Sequence, residues 1–339
     1  YWLLGWLSLE DGRVQDARRY FLESNSISNK LSDDIRITRS YYGLASVSAR
    51  SSETDDVRKI IQKGLLQIEK SNLSDWQKIQ RRFELISCLA LIGDYKYGWP
   101  FMSKVFVDTR DAFSDWVPSK VEIYAYQIIW AVRVGDISSA SAAIKSIRFD
   151  QIPSSLRKSD LMLAVARFNI KSGAADESRN LVMSALDAYQ RGDPQQSYKA
   201  LAFLAEIAVA KKDYESLKEI IRNPKWANSA NSRHAMERSM LLEWFKGVEK
   251  FSERDFRSAR DRFSSALILS KKIGPESHPR VSLIRLALWK SMRVGREADE
   301  QLFDIRELLA VEKAIRSSSS SDVEVDKALR VLERSIADA

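Results

Sequence analysis

The side chains that most often carry out catalysis are few in this chain. It contains two histidines, His234 and His278, and a single cysteine, Cys88. Neither histidine has a second histidine or a cysteine three or four positions away, and one cysteine cannot build a multi-cysteine metal site. Cys88 is distant in sequence from both histidines and lies in the apolar run LISCLALIG. We therefore predict no metal site and interpret Cys88 as a small core residue.

Local motifs for catalysis are also missing from the sequence. It has no HExxH, no GxSxG, no Gly-Lys-Ser/Thr phosphate loop and no GxGxxG. The acidic pairs Asp33-Asp34 and Asp55-Asp56 precede helical stretches, where helix capping and the helix dipole explain them. The sequence thus predicts a protein that is not an enzyme and needs no cofactor.

Composition favours a helical protein with a buried core. Of 339 residues, 45% are hydrophobic and 29% are charged, while only 12 are glycine and 7 are proline. Few glycines and prolines suit long helices better than many short strands joined by tight turns. No apolar run reaches the roughly 18 residues needed to cross a bilayer, so we predict a soluble chain without membrane insertion.

Charge gives a weaker indication of the partner. The formal net charge is +8, but the 54 basic and 46 acidic residues are intermixed along the chain. This balance favours acidic partners in general without defining a nucleic-acid stripe. The opening YWLLGWLSL lacks the basic start of a signal peptide, so we expect the chain to begin inside a longer protein or after a removed segment. The compartment, cytoplasmic or exported, stays open.

A repeat of about 40 residues organises the chain. Short turn signals recur 38 to 42 residues apart, and each is preceded and followed by a stretch with helical periodicity. Each period therefore predicts one helical hairpin, and a fixed period of this size is typical of a solenoid whose units complete one another's core. The residues that mark the turns are Gly12, Ser52, Gly93, Gly135, Gly173, Lys212, Arg254 and Gly295.

Two hairpins carry a known motif. The pattern W-x2-L-G-x2-Y followed by Ala-x3-Phe belongs to the tetratricopeptide repeat (TPR) family, and these hairpins resemble it, although their period exceeds the family's 34 residues. The first matches at Tyr1, Leu4, Gly5, Gly12, Ala17 and Phe21, and the seventh at Gly247, Ala259, Phe263 and Ala266. The resemblance implies that Gly5 and Ala17 lie where two helices approach most closely and that Phe21 fills the space beside them.

The resemblance also implies the fold class and the domain plan. We expect an all-α, right-handed TPR-like superhelix of about eight helical hairpins, one continuous array over residues 1–315. A Ser-rich linker over 316–321 and a capping helix over 322–339 would follow, giving about 17 helices. A concave groove would be lined by the first helix of each hairpin.

Groove positions in the family lie about 13, 10, 6, 3 and 2 residues before each turn marker. Counting back from the later markers places basic residues on this face repeatedly, and arginine suits capture of carboxylates or phosphates. An aromatic residue there is a candidate anchor. A solvated charged face is the alternative interpretation. The candidate partner-binding residues are Arg133, Arg167, Lys171, Lys199, Arg285, Trp289 and Arg293.

Three functions follow as hypotheses. The first is a non-enzymatic scaffold that binds a protein or peptide segment, with acidic character favoured, in the groove. The second is a ligand-sensing or regulatory arm of a larger protein whose effector domain lies before Tyr1. The third and least favoured is backbone-directed nucleic-acid binding, which requires one continuous basic stripe.

Overall fold

The structure is a computed structural model. It describes residues 1–51, 54–112, 117–153, 156–226 and 233–273, together with residues 281, 283–285, 287–288 and 291. Within these ranges the chain forms α-helices and short 3-10 turns and contains no β-strand. The predicted all-α fold class is confirmed.

The first of two compact units contains Tyr1–Asp115. Its six helices form three consecutive hairpins, α1 with α2, α3 with α4 and α5 with α6. Their bounds are α1 (Trp2–Glu10), α2 (Val14–Lys30), α3 (Asp34–Arg50), α4 (Thr54–Lys70), α5 (Asp75–Ile92) and α6 (Tyr95–Ala112).

The second unit contains Trp116–Ile273 and four further hairpins. Short 3-10 turns at Phe149–Gln151, Pro194–Gln196 and Pro224–Trp226 lie between its hairpins. The helices are α7 (Pro118–Val134), α8 (Ile137–Lys145), α9 (Leu156–Lys171), α10 (Ala175–Gly192), α11 (Ser197–Lys211), α12 (Tyr214–Ile221), α13 (Arg233–Ser252) and α14 (Phe256–Ile273). Most of the predicted eighth hairpin, the linker 316–321 and the capping helix 322–339 lie outside the described residues, and the single continuous array stays a prediction.

The turn inside a hairpin is built in the same way along the chain. The marker residue has a positive φ, a conformation that ends a helix and costs least for glycine. The backbone N–H of the residue that follows the marker donates a hydrogen bond to the carbonyl five residues before it. Examples are Asp136 to Ala131 at 2.8 Å and Asp213 to Ala208 at 2.9 Å. The positive φ angles are 75° at Gly12, 74° at Gly93, 82° at Gly135, 85° at Gly173, 57° at Lys212 and 61° at Arg254. These six predicted turns are confirmed, and the Ser52 and Gly295 markers lie outside the described residues.

Aspartate often begins the helix that follows such a turn. The Asp136 carboxylate accepts a hydrogen bond from the backbone N–H of Ser139, and Asp213 does the same for Ser216. Each bond satisfies one of the free N–H groups of a first helical turn. Asp33 caps α3 through the N–H of Arg36, as the capping interpretation of the Asp33-Asp34 pair predicts.

Phe21 fills a close helix crossing in the first unit. A Cβ added to Gly5 would lie 2.6 Å from the Phe21 ring, and one added to Gly43 of α3 would lie 2.5 Å from the same ring. Ala17 and Phe21 are completely buried. The seventh hairpin repeats this packing, with a Cβ at Gly247 only 2.5 Å from Phe263. The small residues of the repeat motif are therefore required by a close approach, as predicted.

Several core interpretations are also confirmed. Cys88 in α5 is 1% exposed, and its Sγ lies 3.5 Å from the Ser46 hydroxyl of α3. Trp130 of α7 is also fully buried and belongs to the core. No helix in the described ranges combines the length and apolar character that crossing a membrane would require.

Candidate functional site

The first helices of consecutive hairpins in the second unit are joined by ion pairs. Each pair links residues 35 to 39 positions apart, close to one repeat, so equivalent faces of α7, α9 and α11 lie beside one another. The six side chains of these pairs define what we call the first-helix face. The pairs are Arg157–Glu122, Lys199–Asp160 and Arg167–Glu206, with nitrogen–oxygen distances of 3.2, 3.2 and 3.5 Å.

Lys199 lies at the centre of a small polar network. Its Nζ donates to the Asp160 carboxylate at 3.2 Å and to the Gln196 side chain at 2.8 Å. The hydroxyl of Tyr189, from α10, donates to the same Asp160 carboxylate. Burial, followed by the charge of Asp160, raises the pKa of Tyr189 above its ordinary value, so this phenol stays a donor at neutral pH. Lys199 is thus positioned by three neighbours and remains half-buried.

Arg167 is held from two sides. Its guanidinium donates to Glu206 at 3.5 Å and lies over the Phe203 ring, 4.8 Å from the ring centroid. A cation over an aromatic ring is attracted to the face of the ring, so Phe203 helps to orient the planar guanidinium.

Glu122 lies at the α7 end of the face. Burial raises the pKa of its carboxyl above the ordinary range, the charge of Arg157 opposes this, and the charge of Asp160 adds to it. The effect of Asp160 on Glu122 links acidic groups of the neighbouring helices α7 and α9. Each of the three ion pairs places an acidic side chain beside a basic one, so the six side chains of this face do not form the continuous basic stripe that nucleic-acid binding would need.

The remaining predicted site residues are placed as follows. Arg133 lies half-buried near the end of α7, and Lys171 is exposed as the last residue of α9. Arg285 lies half-buried in a helical segment. Trp289 and Arg293 lie outside the described residues. The structure thus brings Arg167 and Lys199 onto one face, and the assignment of all seven residues to partner binding stays a prediction.

The first-helix face carries three carboxylates and three cations held in ion pairs. Groups of this kind can exchange their partners for those of a charged segment. Within the described ranges, no group of three or more histidine, cysteine, aspartate or glutamate side chains is arranged to hold a metal ion.

Counting from the later markers missed a cationic pair in the first unit. Arg39 of α3 and Arg81 of α5 interact electrostatically, and Arg39 lies over the ring of Trp2. The signal was present in the sequence, because Arg39 precedes the Ser52 marker by the same 13 residues that separate Lys199 from Lys212.

The comparison with known sequences gives no relative. No model of a known protein family matches this chain, and no curated protein matches it.

Solved structures do share the fold. The first is a signal transduction ATPase with numerous domains (STAND) from Pyrococcus horikoshii, a protein with a tetratricopeptide repeat sensor. It matches with a TM-score of 0.54 at 11% identity, over 97% of this chain and 54% of the ATPase. This chain thus spans about half the length of that protein, and an identity this low shows the fold alone.

Two further matches are weaker. The anaphase-promoting complex hetero-tetramer Cut9–Hcn1 has a TM-score of 0.34 at 12% identity, covering 99% of this chain and 83% of the matched chain. BtubC from P. vanneervenii has a TM-score of 0.28 at 13% identity, covering 96% and 93%. Scores at this level support no assignment. The repeated hairpins, their glycine–phenylalanine crossings and the match to the repeat-containing ATPase together make the fold TPR-like.

Proposed function

We propose that this chain is a non-enzymatic scaffold that binds a segment of another protein along the first-helix face, with acidic segments favoured. The observation that carries the proposal is the alignment of part-exposed charged side chains on α7, α9 and α11. Most apolar side chains of the same helices are buried or part-buried, so the polar face lies beside the core and is distinct from it. An aligned row of charges offers an extended segment several contacts at the repeat spacing.

A partner segment must compete with the ion pairs that already exist on the first-helix face. Arg167 and Lys199 already meet carboxylates, and their side chains are 22% and 32% exposed. A partner carboxylate would therefore share or replace Glu206 and Asp160, an exchange of similar bonds that favours specificity more than high affinity. Lys171, exposed at the end of α9, extends the positive side of the face.

A peptide selection tests the proposal. Random peptides of mixed charge are selected for binding to the full 339-residue chain, and their affinity is then measured by fluorescence anisotropy. We expect enrichment of acidic peptides, and loss of binding when Arg167→Glu and Lys171→Glu are combined. Helicity should be retained, whereas the melting temperature should fall somewhat, because Arg167→Glu places a second carboxylate opposite Glu206. Circular dichroism of the variant verifies that lost binding is not lost folding.

The matched control reverses two cations of second helices in the same unit. Arg191 lies in α10 and Arg222 directly follows α12, and both are exposed. The variant Arg191→Glu/Arg222→Glu changes the net charge equally and should keep the peptides bound. Equal loss in both variants would show a general charge effect. Full binding by the Arg167/Lys171 variant would remove the first-helix face as the binding surface.

A further inference from the structure

The first unit holds two arginines on neighbouring first helices, close enough for the positive charge of one to act on the other. Arg81 of α5 is 8% exposed, and Arg39 of α3 is half-buried. The charged groups that act on Arg81 are Glu84 and Arg39. Burial lowers the pKa of Arg81, and the charge of Arg39 lowers it further, while Glu84 opposes both. Arg81 is paired with Glu84, and Arg39 adds a second positive charge that acts on Arg81.

Arg39 differs from the paired cations of the second unit. Arg81 donates to Glu84, whereas Arg39 has no carboxylate partner among the residues that the structure describes. Lys199, at the equivalent position 13 residues before its marker, is neutralised by Asp160. One positive charge is therefore in excess around Arg39 within the first unit.

Aromatic rings hold the Arg39 guanidinium in place. Its central carbon lies 5.6 Å from the centroid of Trp2, whose ring meets that of Trp6 edge-on at 6.1 Å. Trp6 in turn lies 5.1 Å from Tyr42. The indole nitrogens of Trp2 and Trp6 are buried without a hydrogen-bond partner in the described part of the chain, so this corner is rich in donors and poor in acceptors.

Keeping two guanidinium groups together in a part-buried place opposes folding unless something compensates it, and such arrangements concentrate at binding sites. A planar anion would supply the missing compensation. The planar guanidinium of an arginine can form two parallel hydrogen bonds with a carboxylate. A single excess charge matches a carboxylate better than a doubly charged phosphate.

We propose that Arg39, stacked on Trp2 and backed by the buried Arg81, binds a carboxylate side chain of an acidic peptide segment. The inference rests on the proposed scaffold function and names a second recognition point for the partner, in the first unit. Arg39 makes the direct contact. Arg81 acts as a positioning residue, because its side chain is engaged by Glu84 and contributes mainly its positive potential.

Defined probes test the site on the full chain. Fluorescein-labelled hexaglutamate and hexaglutamine peptides are titrated against the protein, with inorganic phosphate as a competitor. We expect hexaglutamate to bind, hexaglutamine not to bind, and Arg39→Gln to weaken hexaglutamate binding about tenfold or more. Arg39→Lys keeps the charge but loses the planar fork, so its affinity should fall between the two.

Arg36 provides the control one turn earlier on the same helix. It is exposed, and its Nε lies 3.4 Å from the Asp33 carboxylate. Arg36→Gln removes the same charge and should leave hexaglutamate binding within twofold of the unchanged protein. Equal losses for Arg36→Gln and Arg39→Gln would overturn the proposal, as would a native chain that binds both peptides equally.

The remaining outcomes separate this inference from the scaffold function. Hexaglutamate binding that depends on Arg167 and Lys171 but not on Arg39 would overturn the Arg39 site and leave the scaffold proposal intact. Arg39-dependent binding of phosphate without binding of hexaglutamate would overturn the carboxylate assignment. Circular dichroism of each variant verifies that helicity is retained, and Arg39→Lys supplies a second test if Arg39→Gln does not fold.

Discussion

Arg58 of α4 forms an ion pair with Asp94, whose carboxylate is almost completely removed from water. The Nη2–Oδ2 distance is 2.7 Å, and the Asp94 side chain is 3% exposed. The same guanidinium lies 4.8 Å from the centroid of the Tyr97 ring in α6. Because Asp94 immediately follows the left-handed Gly93, this pair joins the second hairpin of the chain to the turn of the third.

Removing the cation of this pair should be costly. Arg58→Ala would leave the Asp94 carboxylate buried without its partner, and breaking a buried pair from one side costs about 3 kcal/mol or more. We expect the midpoint of urea unfolding to fall accordingly. The exposed pair of Arg36 with Asp33 is the control, since Arg36→Ala should cost less than about 1 kcal/mol. Similar losses in the two variants would contradict a special role for burial.

The crossing of α1 and α2 predicts sensitivity to size at Gly5. Gly5→Leu would force a side chain into the space of the Phe21 ring, and overpacking of this kind costs roughly 1 to 3 kcal/mol. Leu3→Ala on the same helix is the control, because Leu3 is 63% exposed. Thermal melting followed by circular dichroism compares the two. An unchanged melting temperature for Gly5→Leu would mean that the helices can separate without loss.

Substitutions at the turn residues with positive φ should change the stability of the protein in opposite directions. Lys212 pays the cost of a positive φ that glycine avoids, so Lys212→Gly should stabilise the protein by up to about 1 kcal/mol. Gly173→Ala should destabilise by about 1 kcal/mol through conformation alone, because an added Cβ there meets no atom within 4 Å. Chemical denaturation measures both. A loss of stability in Lys212→Gly would show that its side chain matters more than its backbone.

Cys88 should report opening of the first unit. Burial raises the pKa of its thiol to about 12, so the native protein holds almost no reactive thiolate at pH 8. Labelling by a disulfide reagent should therefore be slow in the native state and should rise with denaturant along the unfolding curve. Fast labelling of the folded chain, at the rate of an unfolded control in urea, would contradict this burial.

The same shift of the Cys88 pKa has a consequence for stability at high pH. A thiol whose pKa is raised by folding stabilises the native state below its unfolded value, near 9.0, and this contribution is lost as the pH rises toward 12. Cys88→Ala removes the ionisable group, so its stability should fall less between pH 8 and pH 11 than that of the unchanged chain. Parallel losses in both proteins would rule out Cys88 as a cause.

Local chemistry explains why the hairpin turns were predictable. The repeat spacing identified Lys212 and Arg254 as turn residues although neither is glycine, because helical periodicity stops and restarts around them. The small residues Gly5 and Gly247 were predictable for a related reason: a close helix crossing leaves room for little else. These features depend on residues within one hairpin.

Which charged side chains form pairs depends on how neighbouring hairpins stack, and the repeat spacing in the sequence does not predict that stacking. The repeat count placed Lys199 in the groove, but its distance from Asp160 follows from the stacking of α9 and α11. The count therefore recorded Lys199 as a candidate cation without its partner. Arg39 was missed because the count started at later markers, and its proximity to Arg81 again requires two neighbouring hairpins to be in place.

The Phe21 ring touches both Gly5 of the first hairpin and Gly43 of the second, and this sharing bears on how the chain opens. If α1 moves away, the ring loses one wall and the surface of α3 around Gly43 becomes exposed to water. Fraying of one hairpin is thereby coupled to loosening of the next. The amide hydrogens of the first two hairpins should therefore exchange with solvent as one cooperative unit, with α1 no faster than α3 once end effects are subtracted.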